Sequence, residues 1–552
     1  MTEFPLPLPF LPRKTAGVMV PLFSLRTSSD FGIGDFRDLP PLMDWMASCG
    51  LEVLQLLPLN ELAPGETSPY QALSALAADP IYLAVDRMED IVHCEDAQRT
   101  LDSPAVRRDL ASWRSAPRVA YQPIRDLKDR LLRMGFAFFL RVEWKADTPR
   151  ARAFRRFLRD HAEWLEPYAR FRVLKALHGG RDWAEWPPAY RQRDPEAIRR
   201  LSAEHAEEIL YRQYLQWMLW DQWQAARREA RQRGIRLMGD LPFLVSRDSA
   251  DVWSRLDEFD TSRTVGAPAD PVNPEQDWGL PLFRWSVMEA AGFPWWTLRV
   301  RAARAWFDLL RLDHVVGFFR VWVMSKQAPS RFEPQDEAEQ IRQGERFLTM
   351  IAESAGDCLP VAEDLGTIPP FVRETLSRMG IAGHKVLRWE RDDGVYRDPA
   401  SYPSVSLATP GTHDTGTLST WWKTLPEDDR RAFLRLFDAE DARRAKADQS
   451  GLFTDDWHRL VLDRLIGSGS GLVILPLQDV FGHDEQINVP ATVGPHNWTY
   501  RLPCPIEELS RPPLDAKGRT VRELLIRHGR AATAPTGAPE TATDRPIPRE
   551  GP

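Results

Sequence analysis

Short apolar runs of strand length recur along this chain, bounded by turn residues and mostly separated by stretches with helical spacing. Eight stand out: Gly17 to Phe23, Glu52 to Leu59, Arg236 to Val245, Leu309 to Val315, Leu359 to Leu365, His384 to Glu390, Ser406 to His413 and Gly471 to Gln478. Apolar runs of this length, alternating with helices, predict a parallel sheet. Three of them lead directly into an acid: Asp313 in Leu309-Leu310-Arg311-Leu312-Asp313-His314, Glu363 in Leu359-Pro360-Val361-Ala362-Glu363-Asp364, and Asp414 after Thr412-His413. A carboxylate that follows a buried strand and precedes a helix stands on the C-terminal rim, where a (β/α)8 barrel keeps its active site. The expected fold is α/β, a (β/α)8 TIM barrel with helical and loop insertions. An open doubly wound sheet would more often show a phosphate-binding glycine loop after its first strand. Gly32-Ile33-Gly34 lacks the third glycine and does not follow the first strand directly, so no dinucleotide site is read there.

Two stretches are too long for simple connections. Residues 86–206 are rich in Arg, Glu, Ala and aromatics at helical spacing and read as an inserted helical subdomain, which leads into a long helix from about Glu207 to Arg231. Residues 246–296, dense in Trp, Pro, Gly and Asp, read as a long rim loop forming a wall or lid of the cleft. The expected organisation is a barrel start over 1–85 with the first two strands, the insertion over 86–206, and the rest of the barrel over 207–530. From Ala531 to Pro552 the chain has almost no large apolar residue, and the expectation is a disordered tail.

With 552 residues, the chain suits one large barrel carrying insertions or a few domains. A formal net charge of -7, from 72 basic and 79 acidic residues, gives no broad field for nucleic acid or anionic lipid, so neither is expected as a partner. The four cysteines Cys49, Cys94, Cys358 and Cys504 are scattered without C-x-x-C pairing and read as reduced thiols. No basic segment with an unbroken apolar stretch opens the chain, and no run of about 18 apolar residues occurs, so the expected location is the cytoplasm. Tryptophan is abundant at 21 copies, and its flat face suits both protein cores and the apolar faces of pyranose rings.

Carboxylates gathered at one rim are what glycosidic chemistry requires: a nucleophile, an acid that becomes a base, and a group supporting an oxocarbenium-like transition state. The same elements also have plainer readings. Taken alone, Arg311-x-Asp313 reads better as a salt-bridged rim pair and Glu363-Asp364 as a helix-start or loop charge, while His413-Asp414 as a fragment of a metal site is the lesser reading, since no third ligand has recognisable spacing. No metal and no cofactor are therefore expected.

Several separated motifs occur together in order: Ser68-Pro69-Tyr70-Gln71, Gly239-Asp240-Leu241-Pro242, Asp248-Ser249-Ala250-Asp251-Val252-Trp253, Asp277-Trp278-Gly279-Leu280-Pro281-Leu282-Phe283, Arg311-Leu312-Asp313-His314, Ala362-Glu363-Asp364-Leu365-Gly366, Gly411-Thr412-His413-Asp414, Pro476-Leu477-Gln478-Asp479 and Asn497-Trp498. On these the chain resembles the amylomaltases, or 4-alpha-glucanotransferases, of the alpha-amylase superfamily, over about residues 15–530. The resemblance implies Asp313 as nucleophile, Glu363 as general acid/base and Asp414 as transition-state stabiliser. It implies sugar contacts from Tyr70, Asp240, Arg311, His314 and His413, and an acceptor side lined by Gln276 and Trp278 with Asn488 and Asn497 nearby. The donor would be a maltooligosaccharide or α-1,4-glucan, and the acceptor glucose or a maltooligosaccharide. Three departures from the family pattern bear on acceptor use. Ala267 to Glu275 replaces a loop that carries an aromatic residue, Thr415 replaces the Asn after His-Asp, and Gln486-Ile487-Asn488 replaces Arg-Met-Asn. Glucan hydrolysis by the same residues, and glycan binding with weak catalysis, stand as the other readings; the intact acidic trio counts against the last.

Overall fold

The computed structural model describes residues 10–269, 274–445 and 451–531. The tail expected from Ala531 onward thus lies, except for Ala531, outside the described residues, as does part of the 267–275 loop. Eight parallel strands close into a barrel. They are β1 (Thr15–Met19), β2 (Val53–Gln55), β3 (Arg236–Leu241), β4 (Leu309–Leu312), β5 (Leu359–Ala362), β6 (Ala382–Val386), β7 (Ser406–Thr409) and β8 (Leu472–Pro476). Each pairs with its successor, and β8 returns to β1 in the register Thr15↔Leu472 through Met19↔Pro476. This is the (β/α)8 architecture that the eight apolar runs imply.

Each ladder is shorter than its run because the C-terminal part of the run leaves the sheet to build the rim. In Leu309 to Val315, pairing stops at Leu312 and Asp313 starts the rim. The strands are buried almost throughout, which is why they read as unbroken apolar segments rather than alternating ones. Gly17 marks the tightest approach in the barrel, since a Cβ there would stand 2.0 Å from the Val53 carbonyl oxygen.

Between β2 and β3 a non-helical stretch to about residue 79 is followed by a largely helical one. Helices at Tyr121–Phe139, Pro149–Asp160 and Ala162–Leu177 pack on the long helix Ala206–Gln232. Aromatic contacts join them, with Phe154 stacked on Trp217 at 5.0 Å. At their centre Arg150 donates to both oxygens of buried Asp90 (2.6 and 2.7 Å), and Asp90 also accepts from the Tyr214 hydroxyl at 2.7 Å.

Residues 246–296 differ from the loop expected there. They hold a short helix (Ala250–Ser254) and two strands, Phe259–Ala267 and Gln276–Phe283. These join Val321–Ser325 and Ala328–Glu333 in a four-stranded antiparallel sheet beside the barrel. Many of their residues are half-exposed and Gly- or Pro-punctuated, so no apolar run announces them. Pairing with Val321–Ser325, more than fifty residues later in sequence, supplies the order that local pattern lacks.

Among the described residues no helix is long and apolar enough to cross a membrane, and all four cysteines are free thiols. At the N-terminal end of the barrel, the fully buried Arg530 donates to the carbonyls of Thr15, Ile466, Ser468, Ser470 and Gly471 and to the Ser468 hydroxyl, at 2.6 to 3.5 Å. It closes the seam between β1 and β8. Replacing it takes the guanidinium away from the Thr15, Ile466 and Ser470 carbonyls, whereas the Gly471 carbonyl keeps the Thr15 amide and the Ser468 carbonyl keeps Lys14. Arg530→Ala is therefore expected to destabilise the protein by at least about 3 kcal/mol, read as a fall in the urea midpoint. An unchanged midpoint would show that the seam holds without it.

Candidate active site

Arg311 is the penultimate residue of β4, with its side chain inside the rim. Its Nη1 donates to both oxygens of Asp240 at 2.8 Å and to Asp313 Oδ1 at 2.9 Å. Its Nη2 lies 3.9 Å from Glu363 Oε2. Burial opposes the guanidinium charge, but Asp240 and Asp313 hold it well above its ordinary range. The side chains around it differ in access: Asp240 is 0% exposed, Glu363 12% and Asp313 25%. Of the three, Asp313 is the one most open to solvent.

Glu363 follows β5 and is turned into the same space. Its Oε2 accepts the His314 amide at 2.8 Å and its Oε1 the Leu365 amide at 3.1 Å. Burial, reinforced by the charge of Asp313, pushes its carboxyl up to about 8 against the pull of Arg311 and the two amides. Asp364 points away, as strand alternation requires, accepting the His384 amide at 2.7 Å and Arg373 Nε at 3.1 Å. His314 occupies the left-handed region with φ of 48°, uncommon outside glycine, asparagine and aspartate, and this conformation aims its amide at Glu363. Its ring meets Trp278 edge to face at 5.2 Å, and burial lowers its basicity.

Asp414 lies in the loop after β7. Burial would raise its carboxyl, but His413 and Asn488 bring it down to about 2. His413 Nε2 is 3.3 Å from its Oδ2, and Asn488 Nδ2 donates to its Oδ1 at 2.7 Å. Tyr70, from the loop after β2, donates its hydroxyl to Asp240 Oδ2 at 2.7 Å and lies 3.1 Å from His413 Nε2. Its ring stacks on that of His413 at 5.4 Å. Asp313, Glu363, Asp414, Tyr70, Asp240, Arg311, His314, His413, Trp278 and Asn488 thus form one connected set. Gln276 lies two residues before Trp278 on the same face of its strand, half-buried. Asn497 has another employment: its amide binds Val489 and Thr492 and shapes the 489–492 turn.

Residues not singled out from sequence as site members stand behind or near this set. Trp498, read only as part of a motif, leans on Tyr70 at 5.8 Å and on His413 at 5.7 Å. Gln486, read as a departure, donates to the Asp414 carbonyl at 3.1 Å. Trp389, three residues past β6, is 48% exposed on the rim between the carriers of Glu363 and Asp414. An aromatic set among charges just after an apolar run was the signal for it.

Such an arrangement places a carboxyl raised by burial, Glu363, beside the more exposed Asp313, a pairing that suits retaining glycosidic chemistry. The profile of the 4-alpha-glucanotransferase family matches residues 20–507. A 4-alpha-glucanotransferase of Chlamydia pneumoniae is 33% identical over 504 residues, covering 90% of this chain and 92% of its own. One from Thermus thermophilus is 32% identical, covering 86% and 92%. Among solved structures, an amylomaltase from Streptococcus agalactiae in complex with acarbose superposes with a TM-score of 0.79 at 25% identity, covering 94% of this chain and all of its own.

The raised carboxyl of Glu363 has a cost with a definite sign. Below the ordinary glutamate value of 4.5 both folded and unfolded chains are protonated; between 4.5 and about 8 only the folded chain keeps the proton, so stability is lost as pH rises through that window. Glu363→Gln, neutral throughout, should match wild type in thermal midpoint near pH 4 and exceed it increasingly up to pH 8. Parallel midpoint curves from pH 4 to 9 would contradict the assignment.

Proposed function

The chain belongs to the 4-alpha-glucanotransferase family, and from that premise we propose that it moves segments of α-1,4-glucan to another glucan or to glucose by a retaining double displacement on Asp313. Asp313 attacks the anomeric carbon while Glu363 gives its proton to the departing glycosidic oxygen, leaving a β-glycosyl-enzyme. The acceptor hydroxyl then returns its proton to Glu363 as its oxygen displaces Asp313, and the α configuration is restored. Asp414 favours the distorted, positively charged sugar at both transition states, with Tyr70, His413, Asp240 and Arg311 fixing the innermost ring. The observation that carries this reading is the division of labour around Arg311. The more accessible Asp313 pairs with it at 2.9 Å, while Glu363, at 3.9 Å, is pushed up to about 8 and so holds a proton at neutral pH.

On the acceptor side Trp278, edge-on to His314, offers the aromatic face that the 267–275 segment lacks. The free cysteines, three of them buried, support work in a reducing compartment, the cytoplasm.

Incubation with maltotriose should give longer and shorter maltooligosaccharides together; shorter products alone would mean hydrolysis, and none would mean binding only. Asp313→Asn should lose transfer by several orders of magnitude while keeping the wild-type fold by circular dichroism. A 5-fluoro glycosyl donor should leave its adduct on Asp313, and an adduct elsewhere would reassign the nucleophile. Trp278→Ala should weaken acceptor use by roughly a few-fold to tenfold, the worth of one aromatic contact, more than it harms attack on the donor. Glucose-dependence kinetics that do not change in that variant would remove Trp278 from the acceptor side.

A further inference from the structure

His413 and Asp414 sit on Pro410-Gly411-Thr412-His413-Asp414-Thr415-Gly416-Thr417, a segment between β7 and the helix Leu418–Thr424 with two glycines and little internal order. The Thr415 hydroxyl donates to the Thr412 carbonyl and accepts from its amide, both at 3.0 Å. From one side Asn488 and Gln486 hold the middle, through the His413 carbonyl at 3.2 Å, the Asp414 carboxylate at 2.7 Å and the Asp414 carbonyl at 3.1 Å.

The two ends are held by a side chain from the neighbouring strand. Arg388 stands two residues past β6 and is 7% exposed. Its Nε donates to the Pro410 carbonyl at 2.9 Å and its Nη1 to the Gly416 carbonyl at 2.8 Å. One planar fork therefore spans the segment, three residues before His413 and two after Asp414. The backbone closes tightly on it: a Cβ at Gly411 would lie 2.6 Å from Nη2. Trp421 covers the guanidinium from the helix side, with its ring centre 5.4 Å from Cζ. Beyond the segment, buried Asp479 accepts the Leu418 amide at 2.6 Å and fixes where the helix begins, and its charge acts favourably on Arg388. Asp479 belongs to Pro476-Leu477-Gln478-Asp479, a motif that no catalytic step uses.

We propose that Arg388 is a positioning residue for glucan transfer, setting the place of the Asp414 carboxylate and the His413 ring by fixing the distance between Pro410 and Gly416. The inference rests on the reading of Asp414 as the stabilising carboxylate. Its geometric warrant is that both bonded Arg388 nitrogens are committed to loop carbonyls, the two that bracket the functional pair. A lysine cannot reproduce it, because an ammonium is a point donor without the rigid fork. Burial lowers the guanidinium to about 10, so it keeps its charge at neutral pH.

The test is a double-mutant cycle on the full-length protein, measuring kcat and KM with an α-maltosyl fluoride donor so that residual rates stay measurable. Arg388→Ala should lower kcat by about 10- to 100-fold, the scale of a misplacement near 1 Å, with KM changed by less than about threefold. Arg388→Lys should recover only part, and added guanidinium should recover part in Arg388→Ala. In an Asp414→Asn background the same substitution should cost less than about threefold more, because the two act as a unit. A loss that multiplies in full in that background, or a rise in KM with kcat intact, would overturn the proposal. If Arg388→Ala does not fold, Arg388→Gln and Arg388→Lys carry the cycle to the same decision. Wild-type turnover in Asp414→Asn alone would overturn the reading of Asp414 itself, and Arg388 would fall with it.

Discussion

One guanidinium makes the pocket possible. Asp240, Asp313, Glu363 and Asp414 converge on the same rim, and without a buried cation their mutual repulsion and desolvation would force most of them to take up protons. Arg311 is close enough to bind Asp240 and Asp313 directly and far enough from Glu363, at 3.9 Å, to leave it largely to its apolar surroundings. Glu363, lying farther from that charge, has its carboxyl pushed up to about 8 by burial.

The scaffold repeats the same logic of committing donors to fixed acceptors. Backbone amides of His314 and Leu365 hold the two oxygens of Glu363, and the left-handed turn at His314 aims one of them. Tyr70 is tied to Asp240 and His413, so the loop after β2 is locked to the ends of β3 and β7. At the opposite end of the barrel Arg530 satisfies the carbonyls at the β1–β8 seam. The rigid barrel thus lets short loops hold reactive groups in conformations they would not keep alone.

Outside this centre lie the long segments between the barrel strands. The helices between β2 and β3 pack through aromatic and buried ionic contacts, and the four-stranded sheet brings Trp278 against His314. Trp498, itself buried, backs Tyr70 and His413 from the segment after β8. Flat apolar faces beside charged hydroxyl-binding groups are suited to pyranose rings, which are apolar on their faces and polar at their edges.

Most barrel strands were legible in the sequence because they are buried on both faces, so a continuous apolar run survives in the one-dimensional pattern; β6, with its Gly-His-Lys centre, alternates instead. The carboxylates near their ends stood out as acids interrupting those apolar runs. Asp313 and Glu363 needed only that, and the ordered motifs supplied the rest. The sheet built from Phe259–Ala267 and Gln276–Phe283 was not legible, since its strands are partly exposed and are completed by partners distant in the chain. Nor could any local pattern show that Asp240 would be spent on Arg311 and Tyr70, that Asn497 would brace a turn, or that Arg388 would reach across to Pro410 and Gly416. Sequence determines which residues stand near strand ends, because burial on both faces leaves a continuous apolar trace. Which side chains share a proton, a charge or a carbonyl is decided only when barrel closure brings those ends within a few ångströms.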